Sequence, residues 1–151
     1  MQKKDYNISI ACDHAGFELK QAVKQYLSNN FTTVLDFGVQ SADCSVDYPD
    51  FAKIVCQNVL QKKSDFGILV CGTGIGMSIV ANKFRGVRCA LCSDTYSAKM
   101  TRQHNDSNVL ALGAKVVGVG LAIEIVECFL FSQFSNQKRH IDRIAKMEND
   151  N

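Results

Sequence analysis

Cys71 stands at the head of a glycine run, Gly72-Thr73-Gly74-Ile75-Gly76. The run joins an apolar stretch, residues 66–70, to an apolar helix that reaches about Asn82. A strand that turns through glycines into a helix leaves backbone N–H groups pointing outward. The positive end of the helix dipole lies beside them, which makes an anion cradle. Glycine also lets a ligand approach the backbone closely. A thiol at the lip of such a cradle has its thiolate form favoured. An acid–base group beside several N–H donors is suited to removing a proton next to a carbonyl, because the enolate oxygen that forms needs stabilising. Burying a cysteine at a strand end is also ordinary packing, so the rest of the chain has to decide.

Other side chains of chemical interest fall into small groups. Asp13 and His14 follow the first apolar strand; Asp13 suits either a helix cap or acid–base work. His104-Asn105-Asp106 closes a polar helix, where the histidine can bond a backbone carbonyl or hold a substrate hydroxyl. Arg139 and Arg143 are four apart on one helix face, the spacing of a phosphate clamp and equally of a solvated basic face. His140 points elsewhere on that helix and reads as structural. Cys89 and Cys92 form a C-x-x-C, but no second pair accompanies them, so they read as core thiols facing opposite sides of a strand. The glycine run lacks the Gly-Lys-Ser/Thr of a triphosphate loop, and Met77 stands where a dinucleotide fingerprint has its last glycine. Asp94 lies at a suitable distance to bond a ribose hydroxyl. A nucleotide-binding or phosphoacceptor regulatory module therefore stays open as an alternative from a different functional class.

These residues need a scaffold, and periodicity supplies one. Apolar strands are expected over residues 7–11, 33–37, 66–70, 87–92 and 109–112. Between them lie helical patterns. Leu19, Ala22, Val23, Tyr26 and Leu27 make an amphipathic stripe, and Pro49 opens a helix carrying Phe51, Val55 and Val59. Further helices are expected over residues 95–103, 118–131 and about 137–148. Strands alternating with helices predict a single α/β domain: a doubly wound, Rossmann-like, five-stranded parallel sheet with helices on both faces. At 151 residues the chain suits one such domain. Ligands bind such sheets at the carboxyl ends of the strands, where Asp13, His14, Cys71 and Asp94 fall.

The totals narrow the partners. A net charge of +2 with interspersed signs gives no argument for nucleic acid or a membrane surface. No apolar run is long enough to span a bilayer, and the opening MQKKDYN carries no signal-like apolar run. Seven irregularly spaced cysteines read as reduced thiols, so a cytoplasmic location is expected.

Taken together, the motifs resemble the type B ribose-5-phosphate isomerases, within the wider family that includes the galactose-6-phosphate isomerase subunits. The matching segments are Cys12-Asp13-His14-Ala15-Gly16-Phe17, Asp47-Tyr48-Pro49, Cys71-Gly72-Thr73-Gly74-Ile75-Gly76, Ala81-Asn82-Lys83, Arg102-Gln103-His104-Asn105-Asp106, and Arg139-His140 with Arg143. They run in family order over about residues 7 to 147. The resemblance implies an aldose–ketose isomerase acting on D-ribose 5-phosphate and D-ribulose 5-phosphate, with no metal and no organic cofactor. An alternative within the same chemistry is a six-carbon phosphate, galactose 6-phosphate or allose 6-phosphate. By the resemblance, Cys71 moves the proton between C1 and C2, and the amides of Gly72, Thr73, Gly74, Ile75 and Gly76 stabilise the enediolate. Thr73 handles the hydroxyl proton, and Asp13 and His104 assist ring opening. Tyr48 and Asn105 line the pocket, and His14, Arg139 and Arg143 hold the phosphate. Lys115 stands where the family often has a phosphate-contacting arginine, which keeps the charge and loses the fork. The resemblance also implies a homodimer or homotetramer with sites built across the interface, His104 and Asn105 coming from the partner. The C-terminal helix, about residues 137–148, would contribute to the site or the dimer.

Overall fold

The computed structural model describes residues 4–149. Its sheet has five parallel strands in the order β2-β1-β3-β5-β4. The strands are β1 (Lys4–Cys12), β2 (Phe31–Asp36), β3 (Phe66–Cys71), β4 (Cys89–Leu91) and β5 (Val109–Gly113). The helices are α1 (Phe17–Asn30), α2 (Tyr48–Leu60), α3 (Ile75–Ala81), α4 (Thr95–Asn105), α5 (Val119–Phe131) and α6 (Lys138–Asn149). The chain moves from β1 outward to β2, back past β1 to β3, onward to β4, then back to β5. A right-handed crossover puts its helix on one face for each direction of travel. Accordingly α1, α4 and α5 pack together on one face, and α2 and α3 on the other.

The core follows the two-residue period of the strands. Ile8, Ile10, Cys12, Ile68, Val70, Leu110 and Leu112 point to the α1–α5 face. Ala11, Leu69, Cys71, Val109 and Ala111 point to the α2–α3 face. Covering on both sides is why β3 and β5 are buried at every position and read as unbroken apolar runs.

The fold matches the sequence expectation, with one shortening. The strand expected over residues 87–92 is paired only as Cys89–Leu91. Upstream, the Val87 N–H turns back to the Phe84 carbonyl and the Arg88 N–H goes to the Asn108 side chain. The outer edge of β4 is covered by a side chain. The Asn82 amide donates to the Cys89 carbonyl at 2.9 Å and accepts the Cys89 N–H at 2.8 Å. An unpaired edge invites association with another strand, and Asn82 occupies part of it.

Two features of the topology set up a site. Neighbouring strands β1 and β3 send their chains to opposite faces, through α1 and α3. So do β3 and β5, through α3 and α5. The carboxyl end of β3 therefore opens between diverging connections on both sides, where a doubly wound sheet binds ligands. Among the described residues no helix is long and apolar enough to cross a membrane.

Candidate active site

β3 delivers Cys71 to that opening, and the following loop is pinned by β5. The Ala114 N–H donates to the Cys71 carbonyl at 2.8 Å and the Lys115 N–H to the Gly72 carbonyl at 2.9 Å. Gly113 lets the loop lie flat on β5, because a Cβ there would stand 2.6 Å from the Thr73 carbonyl oxygen. Gly74 turns the chain into α3 with φ +77, in the left-handed region open to glycine.

Some of the loop's donors are taken up within the protein and others are not. The Gly74 N–H points at Cys71 Sγ, 3.1 Å away, and the Ile75 N–H at Thr73 Oγ1, 3.3 Å away. The N–H groups of Gly72, Thr73 and Gly76 have no acceptor among the described residues. A sulfur receiving an N–H thus shares its loop with three free donors, a set able to stabilise a developing oxyanion.

β1 supplies the next side chains. Asp13 is buried, and its Oδ1 accepts the Gly16 N–H at 3.0 Å. One oxygen caps the turn, as the sequence allowed, while the other makes no hydrogen bond among the described residues. The turn sits tightly on β3, since a Cβ on Gly16 would stand 2.3 Å from the Val70 carbonyl oxygen. His14 Nδ1 accepts the Val46 N–H at 3.2 Å. That bond assigns the proton of the neutral ring to Nε2, which is left as a donor. The Tyr48 ring lies against Gly76, and the Lys115 stem runs beside Gly72.

The segment that brings Val46 to His14 is itself tethered, by residues that sequence reasoning missed. Lys20 is fully buried and donates to both oxygens of Asp36, at 3.1 and 2.9 Å, and to the Val39 carbonyl at 3.0 Å. Lys24 and the Gly38 N–H complete the shell of Asp36, each at 2.9 Å. Burial opposes ionisation of Asp36, yet the hydrogen bonds from Lys20, Lys24 and Gly38 outweigh it and hold the carboxyl below its usual range. A lysine inside an amphipathic stripe was the available signal.

Within one chain the structure separates the remaining candidates from Cys71. α4 runs back toward the amino end of the sheet, so His104 and Asn105 end up beside Arg88, ahead of β4. The length of β3 puts Cys71 roughly 16 Å along the sheet from that end. Arg139 and Arg143 lie with them, because His140, on the same helix, packs against His104 with ring centroids 4.4 Å apart and planes tilted by 40°. His140 is buried and its Nδ1 meets Ser135 Oγ at 2.7 Å, the structural role its position suggested. Asp94 is occupied as well. It caps α4, accepting the Ser97 N–H at 2.7 Å and the Ser97 hydroxyl at 2.8 Å, bonds that hold its carboxyl below the usual range. Capping the helix accounts for Asp94 without a ribose, so it no longer argues for the nucleotide alternative. Two concavities, of about 470 and 460 Å³, open at this amino end, both lined by Arg88. Cys89 and Cys92 belong to the cores on opposite faces, as core thiols should.

Beside the Cys71 loop the surface is apolar. Ile75 and Ile79, four apart on α3, are half exposed, and Tyr96 near the same end is largely exposed.

Comparison with known proteins agrees with this architecture. Residues 8–147 match the model of the family described as Ribose/Galactose Isomerase. The chain is 46% identical over 137 residues to the ribose-5-phosphate isomerase B of Escherichia coli (strain K12), covering 91% of each protein. It is 43% identical over 128 residues to the D-erythrulose-4-phosphate isomerase of Pectobacterium atrosepticum, covering 85% of this chain and 84% of that one. Its fold superposes on the crystal structure of a ribose 5-phosphate isomerase from Thermotoga maritima with a TM-score of 0.93 at 47% identity. That match covers 97% of this chain and 100% of the other.

Proposed function

From the premise that the chain belongs to the Ribose/Galactose Isomerase family, we propose that it interconverts D-ribose 5-phosphate and D-ribulose 5-phosphate through an enediolate. The observation that carries the reading is that Cys71 Sγ, held by the Gly74 N–H, belongs to the same loop as three amides with no acceptor among the described residues. The Cys71 thiolate takes the proton from C2 of the open-chain aldose. The charge that develops on O1 meets the N–H groups of Gly72, Thr73 and Gly76. The thiol then returns its proton at C1, while the Thr73 hydroxyl carries the O2 proton to O1, so every atom of the sugar is kept. Asp13, through its free oxygen, works with His104 on opening the ring. Tyr48 and Asn105 line the pocket.

The phosphate grip is assigned to His14 Nε2, Lys115, Arg139 and Arg143. Holding a dianion away from the reacting carbons supplies orientation where the chemistry happens.

The roughly 16 Å between Cys71 and the His104–Asn105 turn supports a shared site, because one chain cannot bring both to a single sugar. We therefore assign His104 and Asn105 at each site to a second copy, in a homodimer or homotetramer. The exposed Ile75 and Ile79 give that copy an apolar surface next to the cleft. Seven free cysteines suit a reducing, cytoplasmic setting.

The test is isomerisation of ribose 5-phosphate by wild type and by Cys71→Ala. A folded, inactive variant beside an active wild type is the expected result. Equal turnover would remove Cys71 from the mechanism. An inactive wild type would send the assay to six-carbon phosphates. Sharing is tested by mixing Cys71→Ala with His104→Ala chains: if each dimer has two shared sites, activity should return to about a quarter of wild type. No recovery after subunit exchange would place both groups in one chain's site.

A further inference from the structure

Three segments meet at Arg88. Its Nε–H donates to the Asn105 carbonyl at 2.8 Å, and Nη2 donates to the Asp106 carbonyl at 2.9 Å. Nη1 donates to Glu148 Oε1 at 2.6 Å, in the last turn of α6. The planar fork of a guanidinium makes three such bonds at fixed angles. The first two set the C-terminal turn of α4, where Asp106 takes left-handed backbone with φ 44. The third sets the far end of α6, and the other Glu148 oxygen accepts the Gly86 N–H at 3.0 Å.

Among the described residues α6 is lightly packed. Of its twelve residues only His140 is buried. The helix is thus fastened at two points, His140 against His104 and Ser135, and Glu148 against Arg88 and Gly86. Arg139 and Arg143 ride on a rod about 18 Å long whose direction those two points define.

We propose that Arg88 is a positioning residue that fixes the spacing between the His104–Asn105 turn and the arginine face of α6. This rests on the assignment of both groups to one sugar phosphate. The ring oxygen and the phosphate of that substrate are a fixed number of bonds apart. Two grips reaching it from one subunit must therefore keep their separation, and Arg88 bonds the backbone of one and the last turn of the other.

Two variants separate its two connections. Glu148→Gln weakens the tie to α6 and leaves the carbonyl bonds to the α4 turn. Arg88→Lys keeps the charge and loses the fork. For Glu148→Gln the expected result is a KM for ribose 5-phosphate raised about three- to tenfold with kcat within about twofold. Inorganic phosphate, titrated by calorimetry, should lose affinity by the same factor. For Arg88→Lys, kcat should also fall, by about tenfold, because the His104 turn shifts. Circular dichroism and melting identify the folded fraction. The proposal is overturned if KM and phosphate affinity of folded Glu148→Gln stay at wild-type values, or if Arg88→Lys loses only active fraction in step with stability. Wild type that binds phosphate but does not isomerise ribose 5-phosphate sinks the substrate assignment, and the phosphate titrations still decide on Arg88. Wild type that does neither overturns both.

Discussion

Gly76 and Tyr48 fit together so closely that a methyl group on the glycine would stand 2.6 Å from the tyrosine ring. Tyr48 comes from the first turn of α2 and Gly76 from the first turn of α3, so this contact sets where the ring lies over the Cys71 loop.

Gly76→Ala should therefore act on substrate more than on stability. Tyr48 is 38% exposed and has room to swing outward. The expected outcome is a melting temperature within a few degrees of wild type and a KM raised about threefold or more. Adding Tyr48→Ala should leave KM no worse than in the single tyrosine variant. A double variant much worse than both singles would refute the steric account.

Lys20→Met removes one partner of a buried pair and leaves the Asp36 carboxylate with Lys24 and Gly38 only. Breaking such a pair typically destabilises by about 3–5 kcal/mol. Asp36 ionises at lower pH folded than unfolded, so its stabilisation is present above about pH 4. It is lost as pH falls through the lowered folded value. Denaturant melts from pH 7 to 3 should show wild-type stability dropping at the acid end, with a smaller drop in Lys20→Met. Parallel curves would remove the pair as the cause.

The thiols should divide sharply toward an alkylating reagent. Burial pushes Cys12, Cys56 and Cys92 up to about 11 and raises Cys89 as well. At pH 8 a thiol of that kind is roughly one part in a thousand thiolate. Cys44 is exposed, and Cys71, although buried, ends β3 at the glycine loop, where it is the thiol placed against the proposed substrate. Iodoacetamide with peptide mapping should label Cys44 and Cys71 first. Ribose 5-phosphate should protect Cys71 and leave Cys44 unchanged; protection of Cys44 alone would count against the site.

Burial pushes the His140 imidazole below the ordinary histidine range, and His104, Arg139 and Arg143 add to the shift. The unfolded chain takes up that proton near pH 6.5 and the folded chain only at lower pH. The docking of α6 is thus strongest above about 6.5 and weakens as pH falls through the lowered value. Amide exchange over α6, corrected for intrinsic rate, should lose protection between pH 7.5 and 5.5 in wild type. In His140→Gln the same comparison should be flat. Equal pH dependence in both would assign the effect elsewhere.

The fold was legible in the sequence because the signals are local. Unbroken apolar runs announce buried parallel strands, and the glycines at 72, 74 and 76 announce the turn after β3. The place of β5 between β3 and β4 was not legible, since strand order depends on contacts far apart in sequence. For the same reason nothing local told that His104 and the arginines of α6 would lie at the end of the sheet opposite Cys71. Arg88 was overlooked because an arginine before a strand looks like any surface charge. Arg102 carried a usable hint: it is four residues from Asp106, and the two form an ion pair at 2.7 Å.

The position of β5 also bears on how the molecule is made. Among the described residues β4 pairs only with β5, and β5 is the last strand there to leave the ribosome, yet it sits between two strands made before it. Until about residue 113 has emerged, β3 has an open flank and β4 has no neighbour. The loop after Cys71 likewise lacks Gly113 to rest on. The nascent chain must keep a central gap in an apolar sheet through the synthesis of α3 and α4, a delay of several seconds at about 5–20 residues per second. Closure of the sheet and assembly of the Cys71 loop are then one event.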